Sequence, residues 1–358
     1  MRAFVGDILG KCRIIDIWND STIKRFGGNS QQEPDRDWAC CAMTLYSNSE
    51  VCVIHKNGIA SFFNIDSQSR SCVVHLNEAK NGFCVSHHND QFIACYSGKC
   101  CTFNKKSQIS EFETVENPSC ATICEDLAAY GRLNDRTLIY DINKGEQNWT
   151  SNKPPLDELG LEVSDDDRSL LFFDKNTLFV GQNDSIVVVY DTRAGSDPII
   201  KQKVFNEFPI TAICKLQGNL IAFGDTVGSL TIMDLQSPEE SIQKKSLVGR
   251  NGYTGSPAGI VSIQNHPTLP YLSILSYDRV IRMYNYEKKL NATPKAAFVK
   301  TKSDCFVMLD DQPQEEPNSD DEAWAQLSEN NDSIWEDFHI LPQAKKPQKE
   351  DQEPDTEE

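Results

Sequence analysis

One pattern constrains this chain more than any other: a unit of short apolar segments that recurs about every 35 to 50 residues. Each copy runs through an apolar strand, a small turn, a second strand ending at Gly or a polar pair, and an alternating strand that ends in an aromatic or aliphatic residue plus Asp. The clearest copies are 210–235 (ITAICKLQGNLIAFGDTVGSLTIMDL) and 261–286 (VSIQNHPTLPYLSILSYDRVIRMYNY). Two more lie at 170–192 and 120–142, and weaker ones at 42–66 and 83–104. This spacing belongs to propeller repeats rather than to helical or ankyrin repeats. Period-two alternation, β-branched residues such as Val187 and Val189, and turns such as Asn183-Asp184 and Val227-Gly228 read as hairpins.

The six full units leave two fragments. The N-terminal one (FVGDILGKCRIIDI) holds two middle strands and lacks a leading strand, while Asp304–Leu309 reads as a leading strand with nothing after it. Joined, they make a seventh blade, which removes open sheet edges. The expected fold is therefore all-β: a seven-bladed β-propeller over residues 1–309, closed by strands from both chain ends, followed by a disordered acidic C-terminal tail, 310–358. Segment 147–168, polar and holding two prolines, is expected to be an exposed loop.

The formal net charge of −18 is concentrated in that tail, which carries 17 of the 53 acidic side chains and 3 of the 35 basic ones. The remaining 309 residues are nearly balanced, so the low pI leaves room for a basic patch on the domain. Two apolar islands interrupt the tail. Ser319 and Glu322 form a capping-box pattern that would put Trp324 and Leu327 on one face of a helical turn, and Ile334, Trp335 and Phe338 repeat the spacing. Such islands suit motifs that fold onto a partner.

The start of the chain lacks a signal-peptide pattern, and no apolar run approaches the roughly 20 residues of a membrane span, so no membrane partner is expected. Thirteen cysteines, an odd number at irregular spacing, read as reduced thiols. Cys84, His87, His88, Cys95, Cys100 and Cys101 are the densest group, yet contain no Cys-x-x-Cys, so zinc is not expected. Phosphate-loop, nucleophile-elbow and H-E-x-x-H patterns are missing. His266 before Pro267 reads as a turn residue, and Asp141, Asp191 and Asp234, at equivalent strand ends, as turn formers. No catalytic residue, cofactor or metal is expected.

The segment AGIVSIQNHPTLPYLSILSYDRVIRMY (258–284) resembles that of the ribosome-assembly WD-repeat family typified by WD repeat-containing protein 74 and its fungal counterpart. His266, Pro267, Pro270, Asp278, Arg279 and Arg282 fall on the matching positions. EFPITAI, FGDTVGSLTIMDL and the tail's DEAWAQL are similar in the same order. Departures are Ser262, where the family tends to have Arg, and Gly160, Ser164 and Asp166 in the long polar segment. The basic tail stretch is also reduced, to Lys345, Lys346 and Lys349.

What the resemblance implies is a nuclear, chiefly nucleolar scaffold in rRNA processing and large ribosomal subunit assembly. It would act as a monomer within a larger complex of protein assembly factors, released by a AAA-type ATPase, with direct contact to pre-ribosomal RNA left open. Asp278, Arg279, Arg282, Trp324 and Leu327 are the candidate partner-binding residues, with Arg279 and Arg282 expected on one side of their strand. A salt bridge from an arginine to Asp278 is the structural alternative. A second reading comes from VVVYDTR (187–193), where Tyr190, Asp191 and Arg193 fit the loose W-D-x-R box of cullin-RING ubiquitin ligase substrate receptors.

Overall fold

The computed structural model describes residues 1–26, 36–154, 159–160, 165–205, 207–236, 246–248, 256–287 and 294–310. The tail, with Trp324 and Leu327, lies outside the described residues, as do parts of the long polar segment. A compact unit spans Met1–Asp311.

Seven four-stranded antiparallel sheets make up that unit. The first blade holds β1 (Arg2–Asp7), β2 (Cys12–Asp16) and β3 (Ser21–Phe26). The second holds β4 (Cys40–Ser47), β5 (Glu50–His55), β6 (Ile59–Asn64) and β7 (Ser69–His75). The third is β8 (Gly82–His88), β9 (Gln91–Tyr96), β10 (Lys99–Phe103) and β11 (Gln108–Glu113), and the fourth β12 (Cys120–Cys124), β13 (Leu127–Gly131), β14 (Leu138–Asp141) and β15 (Glu146–Thr150). In the fifth are β16 (Asp167–Phe172), β17 (Thr177–Gln182), β18 (Ile186–Asp191) and β19 (Ile200–Lys203). The sixth has β20 (Ile210–Lys215), β21 (Leu220–Asp225), β22 (Leu230–Asp234) and β23 (Ser246–Val248). The seventh has β24 (Ile260–Asn265), β25 (Tyr271–Ser276), β26 (Val280–Asn285) and β27 (Lys295–Phe298), and β28 (Ser303–Met308) returns to the first.

β28 pairs antiparallel with β1, Phe4 facing Val307 and Val5 facing Phe306, which puts it on the inner edge of the first blade. The inner strands β28, β4, β8, β12, β16, β20 and β24 touch in succession, and β24 touches β28 again, so the ring is closed as the sequence predicts.

Each neighbouring pair of blades shares one apolar cluster. Phe4, Val53 and Val307 sit between the first and second blades, Leu275, Ile281 and Phe306 between the seventh and first. Five further clusters fill the remaining gaps. Side chains of inner strands also bond around the ring: Ser169 Oγ donates to the Ile210 carbonyl (2.8 Å) and Thr211 Oγ1 to that of Ile260 (2.6 Å).

Two expectations are corrected. Residues 147–150 of the anticipated loop belong to β15, where Trp149 Nε1 donates to the Gly195 carbonyl (2.9 Å) and its ring packs 5.2 Å from Tyr190; the segment ends at β16, which begins with Asp167. The repeat also carries a fourth, outer strand in every blade, beyond the three that periodicity shows.

Candidate interaction face

In an up-and-down blade the connections alternate between the two ends of the ring. The hairpins from second to third strand and the crossings between blades share one end, here called the upper face. Asp278 and Arg279 lie in such a hairpin, between β25 and β26.

Arg282, on β26, donates through Nη2 to Asp278 Oδ2 (2.6 Å), and its Nη1 lies 3.4 Å from Ser256 Oγ. Both side chains are largely covered, at 14% and 19% exposure. The first blade repeats this brace with Arg13 on β2, whose Nη2 lies 3.4 Å from Asp7 Oδ2 and which also donates to the Val299 carbonyl. Arg282 therefore takes the structural alternative named above: its guanidinium ties a hairpin to the crossing beside it.

Arg279 has a different role, and the expectation that alternation aligns it with Arg282 does not hold. Three positions apart, the two would face opposite ways on a pleated strand, and Arg279 precedes β26 altogether. Its φ is +65°, a left-handed conformation that is costly for a side chain with a Cβ. The repeat shows glycine in that place in three blades. In three other hairpins the residue three after the strand end donates its N–H back to that end and is glycine: Gly10 to Asp7, Gly58 to His55 and Gly228 to Asp225. Arg279 makes the same bond to Ser276 (3.0 Å). An exposed arginine thus takes the conformation that glycine takes in those three hairpins, as Asn134 (φ +54°) and Ser185 (φ +61°) do at the same position of the fourth and fifth blades. Its Cζ sits 5.3 Å from the ring centre of Phe298, itself 43% exposed. Beside it Tyr277 is 55% exposed, with Lys302 Nζ 5.3 Å from its ring centre.

A cavity of about 290 Å³ opens among the inner strands, lined by Arg168, Ser169, Thr211, Ser262 and Gln264 among others. A bulge near the start of several inner strands, between Asp167 and Ser169, Ile210 and Ala212, and Ile260 and Ser262, inserts Arg168, Thr211 and Val261, all of which line this space. Ser262 lines the same space. Arg168, held by Asn183 Oδ1 (2.7 Å) and Asp166, is the guanidinium at this cavity. Just before it, burial lifts the Asp167 carboxyl to about 7, although Thr137 Oγ1 (2.7 Å) and Gln182 Nε2 (3.3 Å) donate to it.

The Cys/His group separates in space. Cys84 and Cys100 both face Cys95 across strands of the third blade, with Tyr130 of the fourth blade beside them, whereas the His87 ring packs on Tyr46 (4.5 Å) and Phe92 (4.8 Å). Among the described residues no cluster of three or more His, Cys, Asp or Glu is placed to hold a metal ion, and all thirteen cysteines are free thiols. Cys40 and His55 meet at 3.9 Å, and Cys12 and His55 hold the Cys40 thiol down at about 6. Cys40 is sealed at 1% exposure, however, and His55 is bound at both nitrogens, by the Trp38 carbonyl (2.9 Å) and Ser61 Oγ (3.0 Å). The geometry is that of a clamp between a crossing and a strand.

His266 is fully buried and its Nδ1 accepts from the amides of Thr268 (3.3 Å) and Leu269 (3.1 Å), the turn role predicted for it. Asp141, Asp191 and Asp234 accept amide protons from residues two further on, as do Asp16, Asn104 and Asn285, while Asn64 accepts from the amide of Ser67. Every third strand thus ends in the same turn. In the 187–193 box Tyr190 is 6% exposed, and Arg193 folds back on Asp191 through Nε (3.0 Å) and Nη2 (2.8 Å).

No protein-family model matches the chain. It is 30% identical to WD repeat-containing protein 74 of Bos taurus over 156 residues, 39% of this chain and 38% of that protein, and the same figures hold for the Homo sapiens protein. A WD repeat-containing protein of Dictyostelium discoideum is 24% identical over 237 residues, 65% of this chain and 43% of its own length. The chain thus spans about two fifths of the length of the curated relatives it matches. Among solved structures, the computationally designed Ika8 protein superposes with a TM-score of 0.58 at 12% identity over 85% of this chain and 86% of its own, a likeness of fold alone. Closed ring, loop-bearing faces and WD-repeat relatives together support a role in protein interaction, as a scaffold.

Proposed function

We propose that this chain, a relative of WD repeat-containing protein 74, is a non-enzymatic assembly factor of large ribosomal subunit biogenesis, acting in the nucleolus on pre-ribosomal particles. The observation that carries this reading is the seventh blade. There the residues that carried the family resemblance hold both ends of the blade, His266 the turn between β24 and β25, and Asp278, Arg279 and Arg282 the hairpin between β25 and β26. His266 and Arg282 hold the frame, and Arg279 is presented at a strained exposed position. Strain kept at an exposed residue is a mark of contact with a partner. A rigid ring suits this work because it fixes loops from several blades relative to one another, so neighbouring assembly factors can be held in one orientation. A AAA-type ATPase would then remove the factor as the particle matures.

Sedimentation of an extract containing the tagged chain tests the reading. Co-migration with precursors of the large subunit, with their RNA and assembly factors in the same fractions, is the expected result. Migration in a small complex containing ubiquitin-ligase components would overturn it and favour the 187–193 box.

A further inference from the structure

We infer that the upper face of the seventh, first and second blades is a docking surface for single-stranded RNA. This deepens the preceding reading by naming a partner for the face that carries Arg279, and it rests on that reading only for which RNA is met in the cell.

Contiguity of the surface follows from the backbone. Arg279 reaches the Lys300 carbonyl (3.5 Å), and the Lys302 carbonyl accepts from the amide of Ile8. Gly10, next to Lys11, lies against the backbone of Trp38; the amide of Lys56 bonds to Ala39; the Lys56 carbonyl accepts from Asn81; and that of Lys80 accepts from Ser97. Arg279, Lys300, Lys302, Lys11, Lys56 and Lys80 therefore stand on one linked arc of loops, all six exposed, and none is in an ion pair among the described residues. Among the described residues carboxylates along this arc are fewer: Glu78 is engaged by Lys99 (3.5 Å), Asp278 by Arg282 (2.6 Å), Asp37 has an interaction of its own, and Asp304 is exposed. On the same face of the fourth to sixth blades the exposed cations Arg136 and Lys153 stand among a larger number of acids. There Arg132 is tied to Asp135 (2.5 Å) and Arg168 to Asp166 (3.8 Å), beside Asp165, Asp184 and Glu207.

Unpaired cations select a polyanion, and the aromatics select its type. Tyr277 and Phe298 offer exposed ring surface within the arc, each with a cation over its ring that can turn to a phosphate when a base takes that ring. Splayed bases of a single strand can stack this way; the bases of a duplex are already stacked, and an acidic peptide has none.

The test is fluorescence anisotropy of the purified full-length chain with a short labelled single-stranded RNA of mixed sequence. Binding is expected, weakened roughly tenfold or more by Lys56→Glu with Lys80→Glu, and several-fold by Tyr277→Ala. Lys106→Glu with Lys144→Glu, on hairpins of the opposite face, should change it less than about twofold. Failure of the parent chain to bind would overturn the inference, as would equal weakening by the opposite-face pair. So would tighter capture of a labelled peptide of residues 312–340, with Tyr277→Ala without effect on RNA, which would make the arc a seat for an acidic segment. RNA binding without co-sedimentation removes the ribosomal reading and keeps this surface; co-sedimentation without RNA binding does the opposite.

Discussion

At the scale of single residues, Arg279 and Arg282 separate two roles that the sequence runs together. Arg282→Ala leaves Asp278 partly buried without its partner and should cost about 1.5–3 kcal/mol in urea unfolding. Arg13→Ala, at the more enclosed pair, should cost about 3–5 kcal/mol. Arg279→Gly should do the opposite, because relief of left-handed strain, about 1–2 kcal/mol, outweighs the added chain entropy of glycine. The expected result is an unchanged or slightly raised melting temperature together with weaker RNA binding; a clear loss of stability would mean that Arg279 is structural. Asp167 gives a pH signature. Its carboxyl, lifted to about 7, contributes stability that is fully present below the ordinary carboxylate range and lost as pH rises through 7. Asp165, also raised by burial, acts in the same direction. Asp167→Asn should flatten the fall in unfolding free energy between about pH 4 and 7, a term of at most about 4 kcal/mol; an unchanged slope would place that pH dependence elsewhere. The turn aspartates and His266 were legible because a repeat shows equivalent positions side by side. Arg279 was visible as a residue and not as a conformation, since its strain emerges only when its turn is laid over those of Gly10, Gly58 and Gly228.

Among the elements, β28 bears the most consequence for its length. It supplies the inner edge of the first blade, and its Phe306, 1% exposed, fills the cluster between the seventh and first blades. Phe306→Ala should cost about 3–5 kcal/mol. Removing residues 302–309 should do more, exposing the edge of β1 and the flanks of β4 and β24, and gel filtration should show self-association. A deletion variant with the parent's elution and melting temperature would show that β28 does not close the ring. Both end fragments could be assigned from sequence because their burial on two sides leaves continuous apolar runs, CFVML and AFVG. The outer strands could not. β3 (STIKRF), β11 (QISEFE) and β19 (IKQK) face solvent over most of their length, so no apolar rhythm marks them, and their pairing is set by the neighbouring strand. The bulges were hidden for a related reason: one extra residue breaks the alternation locally, which is how Arg168 comes to face the axial cavity.

For the molecule as a whole, charge placement rather than total charge decides what it attracts. A chain of net charge −18 repels a polyanion at long range, but at physiological ionic strength that repulsion is screened beyond about 8 Å, so contacts at the arc dominate. Concentration of the net negative charge in residues 310–358 was plain in the sequence. The arc was not, because its six cations come from hairpins and crossings far apart in the chain, brought together only by closure of the ring. Salt then offers a measurement of the whole face at once. If all six cations meet phosphates of a single strand, the logarithm of the RNA association constant should fall against the logarithm of salt with a slope of about −4, so raising KCl from about 50 to 200 mM weakens binding by roughly 300-fold. Each charge removed from the arc should make that slope shallower by about 0.7, whereas Tyr277→Ala should lower affinity and leave the slope unchanged, because stacking releases no counterions. A slope near zero for the parent chain, or one that Lys56→Glu with Lys80→Glu does not alter, would mean that the phosphates are held elsewhere.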